Sequence, residues 1–236
     1  MEDRGNCSRG TFCRAGHYQV MKKLVIRISG TGSNLQAILH ACRSGQLAAE
    51  ITAVVSNKAS AGGLDYAREA GIPALSLDPA AFSDRQQFDR QLMAEIDNFH
   101  PDLVVLAGYM RILSPEFVAR YTGRMLNIHP SLLPAYPGLH THRQVLENGD
   151  REHGSSVHFV TEELDDGPII LQSRIPVFPG ETEQQLQARV KAEEHSLYPQ
   201  AIRWFLEGRL ALRNHQAWLD NIPLPPGGYC PEHAVR

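Results

Sequence analysis

The 236-residue chain has little cysteine, no excess of basic charge and no long apolar run, and each shortage removes a class of protein. Its four cysteines, Cys7, Cys13, Cys42 and Cys230, form no C-x-x-C pair, and two fall within the first thirteen residues. A reduced, cytoplasmic setting is the simplest expectation. The net charge of −3 lacks the basic face that general nucleic-acid binding draws on. Anionic small molecules remain possible substrates if positive groups are local. No stretch approaches the ~20 apolar residues of a membrane helix, and no signal peptide is visible. There is no internal repeat and no linker long enough to impose two domains. Eleven histidines are present, but there is no H-E-x-x-H and no cysteine–histidine ligand spacing. His140, His142, His153 and His158 are merely near one another in sequence, so no metal is expected.

Hydrophobic residues make up 42% of the chain, enough for a sizeable core. Residues 1–20 lack periodicity and read as a flexible N-terminal extension, of the kind an upstream start codon produces. A transit peptide is the rival, with Glu2 and Asp3 against it. Residues 21–229 read as one domain and 230–236 as a C-terminal tail, the end of the Pro/Gly-rich surface stretch "PLPPGGYCPEHAVR".

From Met21 onward strand and helix patterns alternate. Strands are expected at 23–29, 51–56, 73–77 and 102–108, the last a continuous apolar run suited to burial on both faces. Ser33 is expected to cap a helix through Leu35, Ile38, Leu39 and Cys42, ended by Gly45. A second helix runs through Leu64, Ala67 and Ala70 to Gly71. Ser83 is expected to cap a third, through Phe88, Leu92 and Ile96. Such alternation predicts an α/β fold, a Rossmann-like, mostly parallel sheet flanked by helices. After residue 150 the pattern changes. Strands at 154–160 and 168–177, joined by "TEELDDG", predict an antiparallel component. Thr182 is expected to cap a long helix reaching about Leu206.

Three stretches carry candidate chemistry. "SGTGSNLQ" (29–36) is a glycine-rich turn between the first strand and its helix. It leaves backbone N–H groups free at a helix start, where the dipole favours an anion. Leu35 stands at the third glycine position of a dinucleotide fingerprint and no acid closes the second strand, so NAD is disfavoured and a single phosphate suits the turn better. "MLNIH" (125–129) alternates as a strand, so Asn127 and His129 point the same way at its end. Histidine suits proton transfer, and an asparagine amide can stabilise a developing oxyanion. In "ELDDGP" (163–168), Asp165 would favour the charged form of a histidine beside it. "DDGP" is also ordinary turn chemistry, and sequence alone does not bring residue 165 to residue 129. Glu193 and Glu194 read by default as a solvated helix face.

The stretches "ISGTGSNLQAIL", "VVLAGYMRILSPEFV", "LNIHPSLLPAYPGLHTHRQVLENGD", "HGSSVHFVTEELDDGPII" and "KAEEHSLYP" together resemble the phosphoribosylglycinamide formyltransferases, in family order over about residues 21–229. The resemblance implies transfer of a formyl group from 10-formyltetrahydrofolate to the amine of glycinamide ribonucleotide, in purine synthesis. It implies that Asn127, His129 and Asp165 are catalytic. It places the ribonucleotide at Gly32, Ser33, Asn34 and Glu194. It places the folate at Arg85, Met110, Arg111, Ile112 and Leu113, at Asn127, and at the turn Thr161, Glu162, Glu163, Leu164 and Asp165. Folate is then a co-substrate, no metal takes part, and the protein is a monomer or weak homodimer.

Two residues depart from the family pattern. Arg27 stands in the first strand where an apolar residue is usual, and is expected to reach the sheet's end and pair with an acid. Asp166 adds a second carboxylate beside Asp165. Three rivals share parts of the pattern. Methionyl-tRNA formyltransferase normally carries a further RNA-binding domain, and formyltetrahydrofolate deformylase a leading domain of about eighty residues. A non-catalytic folate- or nucleotide-binding module has no evident need for all three polar residues.

Overall fold

The run Leu103–Ala107 is buried along its whole length, as a strand covered on both faces must be. In the computed structural model, which describes residues 21–109 and 111–229, this run is the central strand of seven. Five strands lie parallel: β1 (Lys22–Ile28), β2 (Ala49–Ser56), β3 (Ala74–Ser76), β4 (Leu103–Ala107) and β5 (Met125–His129). β6 (Glu152–Phe159) pairs antiparallel to β5, and β7 (Ile169–Pro176) antiparallel to β6. The order is β3-β2-β1-β4-β5-β6-β7, so the chain reverses its direction of growth between β1 and β4. That switch point opens a crevice at the strands' carboxyl ends, where open α/β sheets place ligands.

The period of two along β1 sorts its side chains. Leu24, Ile26 and Ile28 join one core layer with residues of α1 (Ser33–Arg43), α2 (Gly63–Glu69) and α6 (Glu183–Leu206). Val25 joins the opposite layer with α3 (Arg85–Asp97) and α4 (Pro115–Tyr121). A smaller cluster sets Val145 of α5 (Thr141–Asn148) against Leu186 and Val190 of α6. Tyr198 of α6 donates its hydroxyl to the Leu106 and Leu126 carbonyls, tying the helix across β4 and β5.

Two helix starts differ from the sequence expectation. The residue before α1 is Gly32, in the left-handed region at φ 78, and Ser33 is already helical. Only glycine fits there, because a Cβ would lie 2.7 Å from the Gly63 Cα. Before α3, the Asp84 carboxylate rather than Ser83 accepts from the Gln87 N–H, with Asp84 in the extended conformation that a cap needs. Thr182 does cap α6, in a reciprocal box with Gln185. Beyond α6 a small antiparallel sheet, β8 (Leu210–Arg213), β9 (Gln216–Leu219) and β10 (Ile222–Pro223), was not legible as strands. The stretch read as a surface tail is docked as far as Tyr229, which bridges to Leu171 and stacks edge-on against Trp204. Residues 1–20, 230–236 and Met110 lie outside the described residues.

Arg27 does not pair with an acid among the described residues. It is 1% exposed on the α3/α4 face, its guanidinium 3.6 Å from the Tyr109 ring centroid and 5.0 Å from that of Phe117. Nε and Nη1 have no hydrogen-bond partner there. Burial pushes its pKa down, against the opposing influence of Tyr109 and Asp89. A buried charge of this kind costs more than stacking returns. Arg27→Leu is therefore expected to raise stability by about 1 kcal/mol or more, read as a higher urea midpoint. A lower midpoint would show that the stack on Tyr109 outweighs desolvation.

Candidate active site

β5 ends in the crevice, and its period of two turns Asn127 and His129 to one side. Asn127 stands opposite His158 in the antiparallel register of β6. His158 is buried, and its Nδ1–H donates to the Phe159 carbonyl at 2.8 Å. Burial holds its pKa down, opposed by that hydrogen bond and by Asp165. The ring is therefore neutral, with Nε2 left as an acceptor. Asn127 fills it through an amide N–H, 3.1 Å away, which fixes the amide's orientation and leaves its second N–H to the crevice.

His129 is 5% exposed. Its Nε2 lies 2.8 Å from the Tyr136 carbonyl, a pure acceptor, so Nε2 carries a proton. Its Nδ1 faces Asp165 Oδ2 at 3.5 Å. Both ring nitrogens thus look at oxygen acceptors. Asp165 reaches this position through the β6–β7 turn, where it adopts φ 51. Its Oδ2 also accepts from the Gly138 N–H at 2.9 Å, joining the turn to the proline-rich loop after β5. Asn127, His129 and Asp165 therefore converge, the last across a distance that sequence could not measure.

Behind His129 a second pair of imidazoles is buried. His142 Nδ1 and His153 Nε2 are 2.9 Å apart. Burial, helped by His142, pushes His153 down to about 4, and burial also lowers His142. In the unfolded chain both would titrate near pH 6.5, so the unfolded state binds more protons as pH falls. The pair's stabilising contribution is fully present above about pH 6.5 and is lost as pH drops toward about 4. Urea midpoints are expected to fall across that window, and His153→Gln to flatten the fall. An equally steep fall in the variant would move its cause elsewhere.

The glycine-rich turn forms the other side of the crevice. α1 begins with no side-chain cap and no acid in its first turn. This open, uncapped start suits an anion. Asn34 Nδ2 donates to Glu194 Oε2 at 2.9 Å, and Ser155 donates to Glu194 Oε1 at 3.0 Å. Glu194 is 6% exposed, which overturns the solvated-face reading, whereas Glu193 is exposed. The signal was its place in the apolar stripe Leu186, Val190, Glu194, Leu197 of α6. Asn34 Oδ1 is buried without a hydrogen-bond partner among the described residues, a polar atom still able to take a donor.

Arg111, Ile112, Leu113, Asn127 and the turn Thr161–Asp165 line one cleft. Leu106, Tyr109, His158 and Val160 line it too and were not foreseen for it. For His158 the signal was the alternation of "GSSVHFV" against β5. Arg85 is not among the cleft's lining; it opens α3 as an exposed residue. The cleft is narrow, with about 50 Å³ open to the centre of a water molecule. Ile112 and Leu164, about half exposed, present apolar surface beside it. A larger groove of about 650 Å³ runs between α1 and α6 and meets these residues only at Ser33. Among the described residues no three His, Cys, Asp or Glu side chains are grouped to hold a metal, and no helix is long and apolar enough to cross a membrane.

A crevice at the switch point of an open α/β sheet, with an anion-suited turn on one side and an Asn–His–Asp group on the other, defines a small-molecule group-transfer site. The chain belongs to the formyl transferase family, whose pattern it matches over residues 22–202. It is 59% identical over 206 residues to the phosphoribosylglycinamide formyltransferase of Escherichia coli, covering 87% of this chain and 97% of that protein. To the Haemophilus influenzae protein of the same name it is 47% identical over 212 residues, covering 90% and 100%. Among solved structures it resembles the phosphoribosylglycinamide formyltransferase of Coxiella burnetii, crystallised with CHES. That TM-score is 0.86 at 48% identity, over 89% of this chain and 99% of that one.

Proposed function

We propose that the protein transfers the formyl group of 10-formyltetrahydrofolate to the amine of N1-(5-phospho-D-ribosyl)glycinamide, a step of de novo purine (IMP) synthesis. The observation that carries this reading is the convergence of Asn127, His129 and Asp165 between the uncapped start of α1 and the cleft at Tyr109–Asp165. The relatives' shared name supplies the acceptor and the group transferred.

In this reading the first-turn N–H groups at Gly32, Ser33 and Asn34 receive the phosphate. Glu194, fixed by Asn34 and Ser155, offers its buried carboxylate to the ribonucleotide's donors. The cleft receives the folate. Entry of a bicyclic ring through so narrow an opening requires the Thr161–Asp165 turn to move. The substrate amine attacks the formyl carbon, and the carbonyl oxygen takes up negative charge. The free N–H of Asn127 and the His129 imidazolium stabilise that oxygen. Asp165 keeps His129 charged, and His129 helps pass the amine's proton to the departing folate nitrogen. Neither a metal nor a covalent enzyme intermediate is needed.

The test is deformylation of a 10-formyl folate analogue, followed by absorbance with and without the ribonucleotide. Turnover only with the ribonucleotide is the expected result. Formate release without it would replace this reading with a hydrolase, and no turnover by folded protein with a binding module.

A further inference from the structure

The proline-rich loop after β5 contains one residue whose backbone is hard to explain by packing alone. Tyr136 adopts φ 54, a left-handed conformation that is unfavourable for a bulky residue and persists only where the surroundings impose it. The surroundings do impose it. While Ala135 and Pro137 on either side are exposed, the Tyr136 ring is half-buried and packs on the cluster of Val145 and Leu186. Its hydroxyl donates to Asp150 Oδ2 at 2.5 Å and accepts from Asn148 Nδ2 at 2.7 Å. Asn148 ends α5 and Asp150 follows its Gly149 cap, so the phenol is tied to a helix end. The twist at Tyr136 aims its carbonyl at His129 Nε2, 2.8 Å away.

We infer that Tyr136 is a positioning residue for His129: its main-chain carbonyl, anchored through the phenol to Asp150 and Asn148, fixes the proton on Nε2 and leaves Nδ1, beside Asp165, as the nitrogen that exchanges its proton. A neutral histidine carries one ring proton, and either nitrogen can hold it. A carbonyl can only accept, so 2.8 Å from it the Nε2–H tautomer is selected. The nitrogen that must lose and regain a proton is then the one nearest the Asp165 carboxylate. His142, His153 and His158 lie within electrostatic reach of His129, and each is a buried imidazole held toward its neutral form. Asp165 is the carboxylate recorded against the ring, while Asp150 holds the Tyr136 hydroxyl and also acts on His153.

The kinetic part of this inference rests on the formyl-transfer reading, but the tautomer does not. The full chain labelled with 15N-histidine would be measured by long-range nitrogen–proton NMR above the titration of His129. The expected wild-type spectrum is a single Nε2–H ring for His129. In Tyr136→Phe that signal should move toward a mixture of tautomers. In the same variant kcat should fall about tenfold, since small misplacements of a reacting group are costly. KM should stay nearly constant, and the alkaline limb of the kcat profile should move to lower pH. Asp150→Asn, which loosens the same anchor without touching the tyrosine, should do the same to a smaller degree, and stands in if Tyr136→Phe does not fold. A wild-type His129 found as the Nδ1–H tautomer would overturn the inference. So would variants whose His129 spectrum and pH profile overlay those of the wild type. If no formyl transfer is found at all, the NMR result still decides the tautomer.

Discussion

His129→Ala is expected to lower kcat on the order of 10³-fold, with a change in the urea midpoint equivalent to no more than about 1–2 kcal/mol. The two halves of that expectation come from different contacts. The ring's structural share is a hydrogen bond to the Tyr136 carbonyl and a place at the end of β5. Removing it leaves that carbonyl without its donor, a modest loss next to the cores on either side of the sheet. Its chemical share is larger in the proposed mechanism, where it both faces the oxyanion as a cation and carries a proton. Asn127 remains in the variant, its amide still oriented by His158. Residual turnover is therefore expected to reflect one N–H donor and substrate alignment. The experiment pairs steady-state kinetics with ligand binding. Loss of turnover with unchanged affinity for the ribonucleotide would put His129 in the chemical step. Normal turnover would remove it from the mechanism. Loss of binding together with turnover would instead make it part of the substrate pocket.

The half of this site that was legible from sequence is the half that local geometry controls. Asn127 and His129 share a face because strands have a period of two, and nothing distant in the chain alters that. The open start of α1 was legible too, although its cap was misplaced from Gly32 to Ser33. A serine before a helical pattern is the usual capping signal, but the close approach of Gly63 forces a left-handed glycine instead. Ser83 and Asp84 were confused for a similar reason, since both can cap and only the backbone tells which one lies outside the helix. Glu194 was legible only through the family likeness, because a lone carboxylate on a helix usually reads as solvated and its partner Asn34 is 160 residues away. Arg85, which a family likeness placed with the folate residues, stands at an exposed helix start and does not itself line the narrow cleft. The small sheet after α6 was missed because its strands are only two to four residues long. Its turns were nonetheless marked. Asn214–His215 and Asp220–Asn221 all have positive φ, the requirement of a tight two-residue hairpin turn that Asn and Asp meet more easily than most residues.

Asp165→Asn is expected to cut kcat by about two orders of magnitude or more and to move the alkaline limb of the profile to lower pH. The substitution is close to isosteric, and the structure says which interactions it spares. The Gly138 N–H can still donate to the asparagine oxygen, so the turn stays joined to the loop after β5. The φ of 51 at this position is also one that asparagine tolerates as well as aspartate. What disappears is the negative charge 3.5 Å from His129 Nδ1. Without that charge the ring keeps only the Tyr136 carbonyl as its recorded acceptor, and the proton-holding role proposed for Asp165 is removed. Lowering the pH should therefore recover part of the lost activity in the variant, which a purely structural defect would not allow. Asp166 offers a control in the same turn. It is exposed and contributes only weakly to His158, so Asp166→Asn should leave the limb where it is. Profiles measured side by side for the two variants separate charge at the ring from charge in the turn. A limb unmoved in Asp165→Asn would refute the role given to that carboxylate. An equal shift in both would assign the effect to the turn's overall charge rather than to the Asp165–His129 contact.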